Sequence, residues 1–129
     1  MTTNGKILAD SCVVIEFLEG NPGYSFIQDL FDSGSLYINE VILTELLPTM
    51  IANEIYAVAD FTNKLPKVPM NINWKEIRDY QTILMKNGHS RIGIPDLLIA
   101  QNCIQNDIQV ISCDKHFQTL AKFLPLKLK

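Results

Sequence analysis

Four acidic side chains stand where an apolar run ends or a helix opens. They are Asp10 after Lys6-Ile7-Leu8-Ala9, Glu45 closing Asn39-Glu40-Val41-Ile42-Leu43-Thr44-Glu45, Asp96 after Ile94-Pro95, and Asp114 after Val110-Ile111-Ser112-Cys113. An α/β sheet gathers its strand ends along one edge, and ligands bind in the crevice there. Carboxylates brought together at that edge repel one another unless a cation sits among them. The hard divalent cations that take all-oxygen ligands are magnesium, manganese and calcium. Such a site suits phosphodiester hydrolysis, in which charge on the phosphate, an activated water and a stabilised leaving oxygen are all within the reach of bound divalent ions.

Each acid also has a plainer reading. Asp10, Asp96 and Asp114 stand at helix starts, where a carboxylate caps free N–H groups or is stabilised by the helix dipole. Glu45 lies inside a helical pattern among Leu43, Leu46 and Leu47, where no cap is needed and a charge must find solvent or a partner. Glu40 is an alternative acid on the same stretch, with first-turn solvation as its simpler role.

The elements that would position these groups alternate between strand and helix. Residues 7–9 read as a short buried strand and residues 11–18 as a helix ended by Gly20. Asn21-Pro22 opens a helix with Ile27, Leu30 and Phe31 on one face and Gly34 at its end. Residues 35–38 predict a second strand, followed by a long helix after Asn39 in which Pro48 predicts a kink or break. Further helices are expected over 58–64, over 74–86 behind the cap Asn73, over 97–105 after a loop at 88–94, and over 115–120. Residues 108–112 predict a strand and 126–128 a marginal last one. Trp74 and Tyr80 share an apolar helical face, which favours core or interface packing over base stacking. This alternation implies an α/β fold with a mostly parallel sheet between helices.

Size and composition narrow the alternatives. The chain has 129 residues and 47% hydrophobic content, enough for a single domain over 1–129 with its own core. No apolar run approaches the roughly 20 residues of a membrane helix, and the N-terminus lacks a secretory signal. Cys12, Cys103 and Cys113 show no CxxC spacing and no zinc-ligand spacing with His89 or His116, and they are expected to be reduced in a cytoplasmic protein. The formal charge of −3 argues against broad, non-specific duplex binding, which depends on many Lys/Arg–phosphate contacts.

The same motifs carry a resemblance. Ile7-Leu8-Ala9-Asp10-Ser11-Cys12-Val13-Val14-Ile15 resembles the opening of a PIN domain: apolar strand, Asp, hydroxyl residue, apolar helix. Glu45 matches the helical Glu of that family. Ile94-Pro95-Asp96-Leu97-Leu98-Ile99-Ala100 resembles its third acidic motif, and Val110-Ile111-Ser112-Cys113-Asp114-Lys115-His116-Phe117 its fourth. The chain departs from the family where Ile42 replaces a hydroxyl residue three before the Glu, and where Pro48 follows in place of a small residue. The resemblance is strongest to small VapC-type toxin ribonucleases of toxin–antitoxin pairs.

That resemblance implies a three-layer αβα sandwich and a Mg2+- or Mn2+-dependent endoribonuclease that leaves a 5′-phosphate. Asp10, Asp96 and Asp114 would bind the main ion directly or through water, and Glu45 would help hold a second ion or orient the attacking water. Ser11 and Ser112 would support the carboxylates, with local backbone capping as their alternative. RNA is the implied substrate, an antitoxin and a second copy of the chain the implied partners. Residues 51–61 would supply a dimer or partner surface. Arg91 and Lys115 would meet an RNA phosphate or remain solvated, and Arg91 is also a candidate antitoxin contact. His89 and His116 are read as solvated and given no role. The competing function is an inactive PIN-fold protein-interaction module. A phosphoryl-accepting receiver ranks below both, because Asp60 lies in a helical pattern and not at a strand end.

Overall fold

The computed structural model describes residues 5–129; residues 1–4, part of the segment read for a secretory signal, lie outside it. The sheet is built from β1 (Ile7–Ala9), β2 (Leu36–Tyr37) and β3 (Gln109–Ile111), in the order β2-β1-β3. Both pairings are parallel, with Leu8 opposite Tyr37 on one side and Val110 on the other. Isolated parallel bridges extend the two edges, Ile38 with Lys67 and Val110 with Leu128. The marginal strand expected over 126–128 is therefore a single bridge, held by Val110 N–H to Lys127 O at 3.0 Å and Lys129 N–H to Val110 O at 2.9 Å.

Helices α1 (Ser11–Leu18), α2 (Phe26–Asp32), α3 (Glu40–Ala52), α4 (Tyr56–Asn63), α5 (Trp74–Lys86), α6 (Ile94–Asn106) and α7 (Lys115–Phe123) flank the sheet, with a 3-10 turn over Pro22–Tyr24. This is the expected αβα sandwich. A central strand buried on both faces must be apolar throughout, and Ile7, Leu8 and Ala9 are all buried. Val13, Ile42, Leu97, Ile99, Phe117 and Leu120 complete the core around it, each essentially without exposure. Truncating one of these to Ala costs about 2–5 kcal/mol in a typical core.

Polar side chains fix how the site-bearing helices meet. The buried Asn39 caps α3, its Oδ1 accepting from Ile42 N–H at 3.0 Å. Its Nδ2 donates to Asn102 Oδ1 at 2.9 Å, and Asn102 in turn donates to Pro69 O at 2.9 Å. The start of α3 is thus tied to the middle of α6. Gln101 does the same for α5, donating to Asn73 O at 3.1 Å and Glu76 Oε1 at 2.8 Å.

Several expectations are corrected. α3 runs unbroken through Pro48. Pro48 is exposed, while Ile42, Leu43, Leu46 and Met50 are buried on both sides of it, and this packing outweighs one missing backbone bond. α6 begins at Ile94, three residues earlier than expected, because Pro95 occupies the first turn, where its missing N–H costs nothing. Trp74 is 52% exposed whereas Tyr80 is buried, so the two do not share a core environment; Trp74 is the first residue of α5 and lies at its open end.

Candidate metal centre

All four candidate acids come from the carboxyl-end edge of the sheet or the helices that border it. Asp10 follows β1, Asp114 is the third residue past the end of β3, Asp96 is in the first turn of α6, and Glu45 is just over one turn into α3. The cap reading holds for two of them, without exhausting their carboxylates. Asp10 Oδ1 accepts from Ser11 N–H at 2.8 Å, leaving Oδ2 to accept from the Ser112 hydroxyl at 2.8 Å. Asp114 Oδ1 accepts from His116 N–H at 2.9 Å, and its Oδ2 lies 3.6 Å from His116 Nδ1. Asp96 caps nothing through its side chain; Gly93 stands at the cap position before α6 without a side-chain bond, and Asp96 Oδ2 meets His116 Nδ1 at 2.8 Å.

The acids are close enough to feel one another. Burial, then the charges of Asp96 and Asp114, push the Asp10 carboxyl above its usual range, against the bonds from Ser112 and Ser11 N–H. Partial desolvation, then the charges of Asp10 and Asp96, push Glu45 up as well, opposed by a hydrogen bond with the Ser11 side chain. Glu45 therefore belongs to the same electrostatic group despite the proline downstream. The hydrogen bond to Asp96 is the main cause that raises His116, with the charges of Asp114 and Asp96 adding to it.

Ser112 links two of these acids: its hydroxyl donates to Asp10 and accepts from Asp114 N–H at 3.0 Å. Ser11 serves Asp10 through its backbone and Glu45 through its hydroxyl. Asp96, Asp114 and His116 each present one ligand atom, all within 4.8 Å of one another. Carboxylate oxygens dominate this set, which suits Mg2+ or Mn2+, and the imidazole adds one nitrogen donor. The residues present thus fit a divalent ion.

Two features were not legible as site components. His116, given no role above, is partly buried and sits between Asp96 and Asp114. Its place two residues after a helix-capping Asp, in the first turn of α7, is the signal that could have placed it. The cysteines expected to be reduced are also corrected: Cys12 and Cys113 form a disulfide, with Cα atoms 6.1 Å apart, and only Cys103 is free. Their partnership spans 101 residues and follows from the pairing of β1 with β3. Arg91 and Lys115 are exposed near this edge, and Arg91 lines a cleft of about 220 Å³ together with His89, Ser90, His116 and Thr119. Among the described residues no helix is long and apolar enough to cross a membrane.

A small α/β domain with acids at these four places defines a class. The PIN domain family model matches residues 7–123, and the chain belongs to that family. Its fold is similar to a chain in the structure of VapBC2 from Rickettsia felis bound to a promoter DNA fragment, with a TM-score of 0.74, 17% identity, and 95% of this chain and 96% of that one covered. It is likewise similar to a chain of VapBC-1 from nontypeable Haemophilus influenzae, with a TM-score of 0.73, 16% identity, and coverage of 95% and 96%. A chain of DNA-bound VapBC from Salmonella typhimurium gives 0.73 and 15%, covering 100% of this chain and 98% of that one. At these identities the likeness is one of fold. A comparison with curated proteins gives no match.

Proposed function

We propose that this protein is a Mg2+- or Mn2+-dependent endoribonuclease, the toxin of a toxin–antitoxin pair, acting in the cytoplasm as a single PIN-like domain over residues 1–129. The observation that carries the reading is the gathering of Asp10, Glu45, Asp96 and Asp114 at one sheet edge, where burial first and the neighbouring acidic charges after it raise the carboxyls of Asp10 and Glu45. Such an arrangement costs stability in the empty chain, and a divalent ion relieves it.

When bound, the ion supplies charge neutralisation at the phosphate and a more acidic water. Asp96 and Asp114 hold it together with Asp10, whose position the Ser112 hydroxyl fixes. Glu45, whose carboxyl is raised by partial desolvation and then by the charges of Asp10 and Asp96, is suited to orient the attacking water and accept its proton. His116 Nδ1, lying against Asp96, adds a ligand or supplies a positive charge beside the phosphate. Arg91, exposed and lining the adjoining cleft, meets the RNA backbone.

The partner reading rests on an apolar surface at the far end of α1 and α3. Ile15, Ile51, Ile55 and Tyr56 are exposed there, beside a groove of about 320 Å³ that also involves Leu18, Met50 and Val58. The VapBC structures of similar fold are toxin–antitoxin assemblies, and an antitoxin segment or a second copy suits this surface. The same surface is what favours the second reading, a PIN-fold interaction module without activity.

RNA cleavage separates the two. Wild type is expected to cut RNA with Mg2+ or Mn2+ and to stop when the ion is chelated, and Asp96→Asn to lose cleavage while keeping its fold. Cleavage by wild type in excess chelator, or undiminished cleavage by Asp96→Asn, overturns the metal-dependent reading. No cleavage of any RNA by wild type, with its partner surface still functional, favours the interaction module.

A further inference from the structure

The Cys12–Cys113 disulfide is built into the walls of the candidate metal centre. Cys12 lies two residues after Asp10, in the first turn of α1, and Cys113 directly precedes Asp114. Cys12 Sγ is 3.8 Å from Asp10 Oδ2 and 3.5 Å from Ser112 Oγ, and accepts from Cys113 N–H at 3.1 Å. The bridge therefore joins the two backbone segments that carry Asp10 and Asp114. Apart from it, side-chain contacts between these segments run through Ser112, whose hydroxyl donates to Asp10, and through the bond that Cys113 N–H makes to Cys12 Sγ. The sulfur pair is accessible as well: Cys113 is exposed and Cys12 half-buried, whereas Cys103 is sealed in the core.

We propose that Cys12 and Cys113 are a reversible redox pair that sets how firmly Asp10 and Asp114 hold a divalent ion. The coupling to the ion rests on the metal-dependent reading above; the formation of the pair does not. With the bridge closed, the turn between β3 and α7 is locked to the start of α1 before the ion arrives, so binding has less to order. With the bridge open, the turn is held by its hydrogen bonds and by the core packing of Phe117 in α7, and the carboxylates lose part of their preorganisation.

The oxidant is a small organic disulfide, RSSR. The exposed Cys113 sulfur attacks one sulfur of RSSR; the S–S bond breaks, and one RS− leaves with the bonding pair and takes up the Cys113 proton. The Cys12 sulfur then attacks Cys113 Sγ in the mixed disulfide, and the second RS− leaves and takes up the Cys12 proton. Two thiols and RSSR become one protein disulfide and two RSH, a two-electron oxidation of the protein. A dithiol reductant reverses it.

The test uses the full chain, reduced and desalted without oxygen, then divided and treated with glutathione disulfide or left reduced. Thiol titration under denaturing conditions is expected to count the 3 cysteines before oxidation and Cys103 alone after it, with the mass lower by two hydrogens. Mn2+ titration is expected to show the oxidised form binding about tenfold more tightly, the size usual for changes that reorient metal ligands. Cys113→Ser is expected to bind like the reduced wild type whether or not oxidant is present. Retention of all thiols under oxidant overturns the redox pair. Equal Mn2+ affinity in the two forms overturns the coupling and leaves the nuclease reading standing. Absence of Mn2+ binding in both forms overturns the coupling and the metal-dependent reading together.

Discussion

His116 Nδ1 lies 2.8 Å from Asp96 Oδ2 and so joins the first turn of α7 to the first turn of α6 across the candidate metal centre. Protonated, the ring sits where a cation belongs, between Asp96 and Asp114. A histidine whose folded pKa lies above its unfolded value adds stability that is fully present below the unfolded value and is lost as pH rises through the folded one. The unfolded value here is 6.5, and the folded one is raised by Asp96 first. In chelator, His116→Gln is therefore predicted to melt below wild type at pH well under 6.5 and to converge with it at alkaline pH. Thermal melts of both proteins across that range check it; a gap that is constant with pH contradicts the assignment.

Asp10 gives a second pH dependence. Its carboxyl is raised, by burial before anything else, so the folded chain holds the proton more tightly than the unfolded one. Stability from this group is present below the ordinary value of 3.8 and declines as pH rises through the raised value. In chelator, Asp10→Asn is predicted to melt above wild type, by a margin that grows as pH climbs past 3.8. Saturating Mn2+ is predicted to invert that order, because only the carboxylate gains from the ion. Differential melts with chelator and with Mn2+ test both halves, and a destabilised Asp10→Asn in chelator at neutral pH would count against a carboxyl raised by burial and by its acidic neighbours.

Ser112 carries a third prediction. Its hydroxyl donates to Asp10 Oδ2 and accepts from Asp114 N–H. Ser112→Ala leaves both groups without that partner, at a cost of about 1–3 kcal/mol in stability. Because it also frees Asp10 to reorient, Mn2+ affinity is predicted to fall by roughly 10- to 100-fold. Ser112→Thr, which keeps the hydroxyl, is predicted to restore most of that affinity. Denaturant unfolding and ion titration separate the two effects; an unchanged affinity in Ser112→Ala gives the serine a local role only.

The strand–helix alternation was legible because local signals and the fold agree. The apolar triplet at 7–9 could only be buried, and Asp10, Asn39, Asn73 and Asp114 each cap the helix that follows them. The unread parts depend on long-range contacts. Pro48 promised a break on local grounds, yet the packing of Leu46 and Met50 on either side keeps α3 continuous. The bridge between Cys12 and Cys113 becomes visible only once β1 is known to pair with β3. His116 looked like a surface residue of a short helix, and its contact with Asp96 depends on how α6 and α7 meet. The four acids sit between these cases: their positions at strand and helix ends and the consequence of bringing them together could be read, whereas their actual proximity depends on how β1, α3, α6 and the β3–α7 turn meet.

Pro48 leads to a fourth prediction. Pro48→Ala restores an N–H to a helix that is already continuous. It is predicted to leave RNA cleavage unchanged and to stabilise the chain by an amount on the order of 1 kcal/mol, less than the ~3 kcal/mol of an unadapted helix interior. A loss of cleavage in this variant would show that the proline sets the position of Glu45, one turn earlier in α3.

The central claim is that acids from β1, α3, α6 and the β3–α7 turn act together as one cation site. Titration of Mn2+ into wild type and into Asp96→Asn tests it most directly, since Asp96 caps nothing through its side chain. The account predicts saturable binding by wild type and an affinity at least about tenfold weaker in Asp96→Asn, with the far-UV spectrum unchanged. Equal affinity in the two proteins, or no binding by wild type, would contradict it.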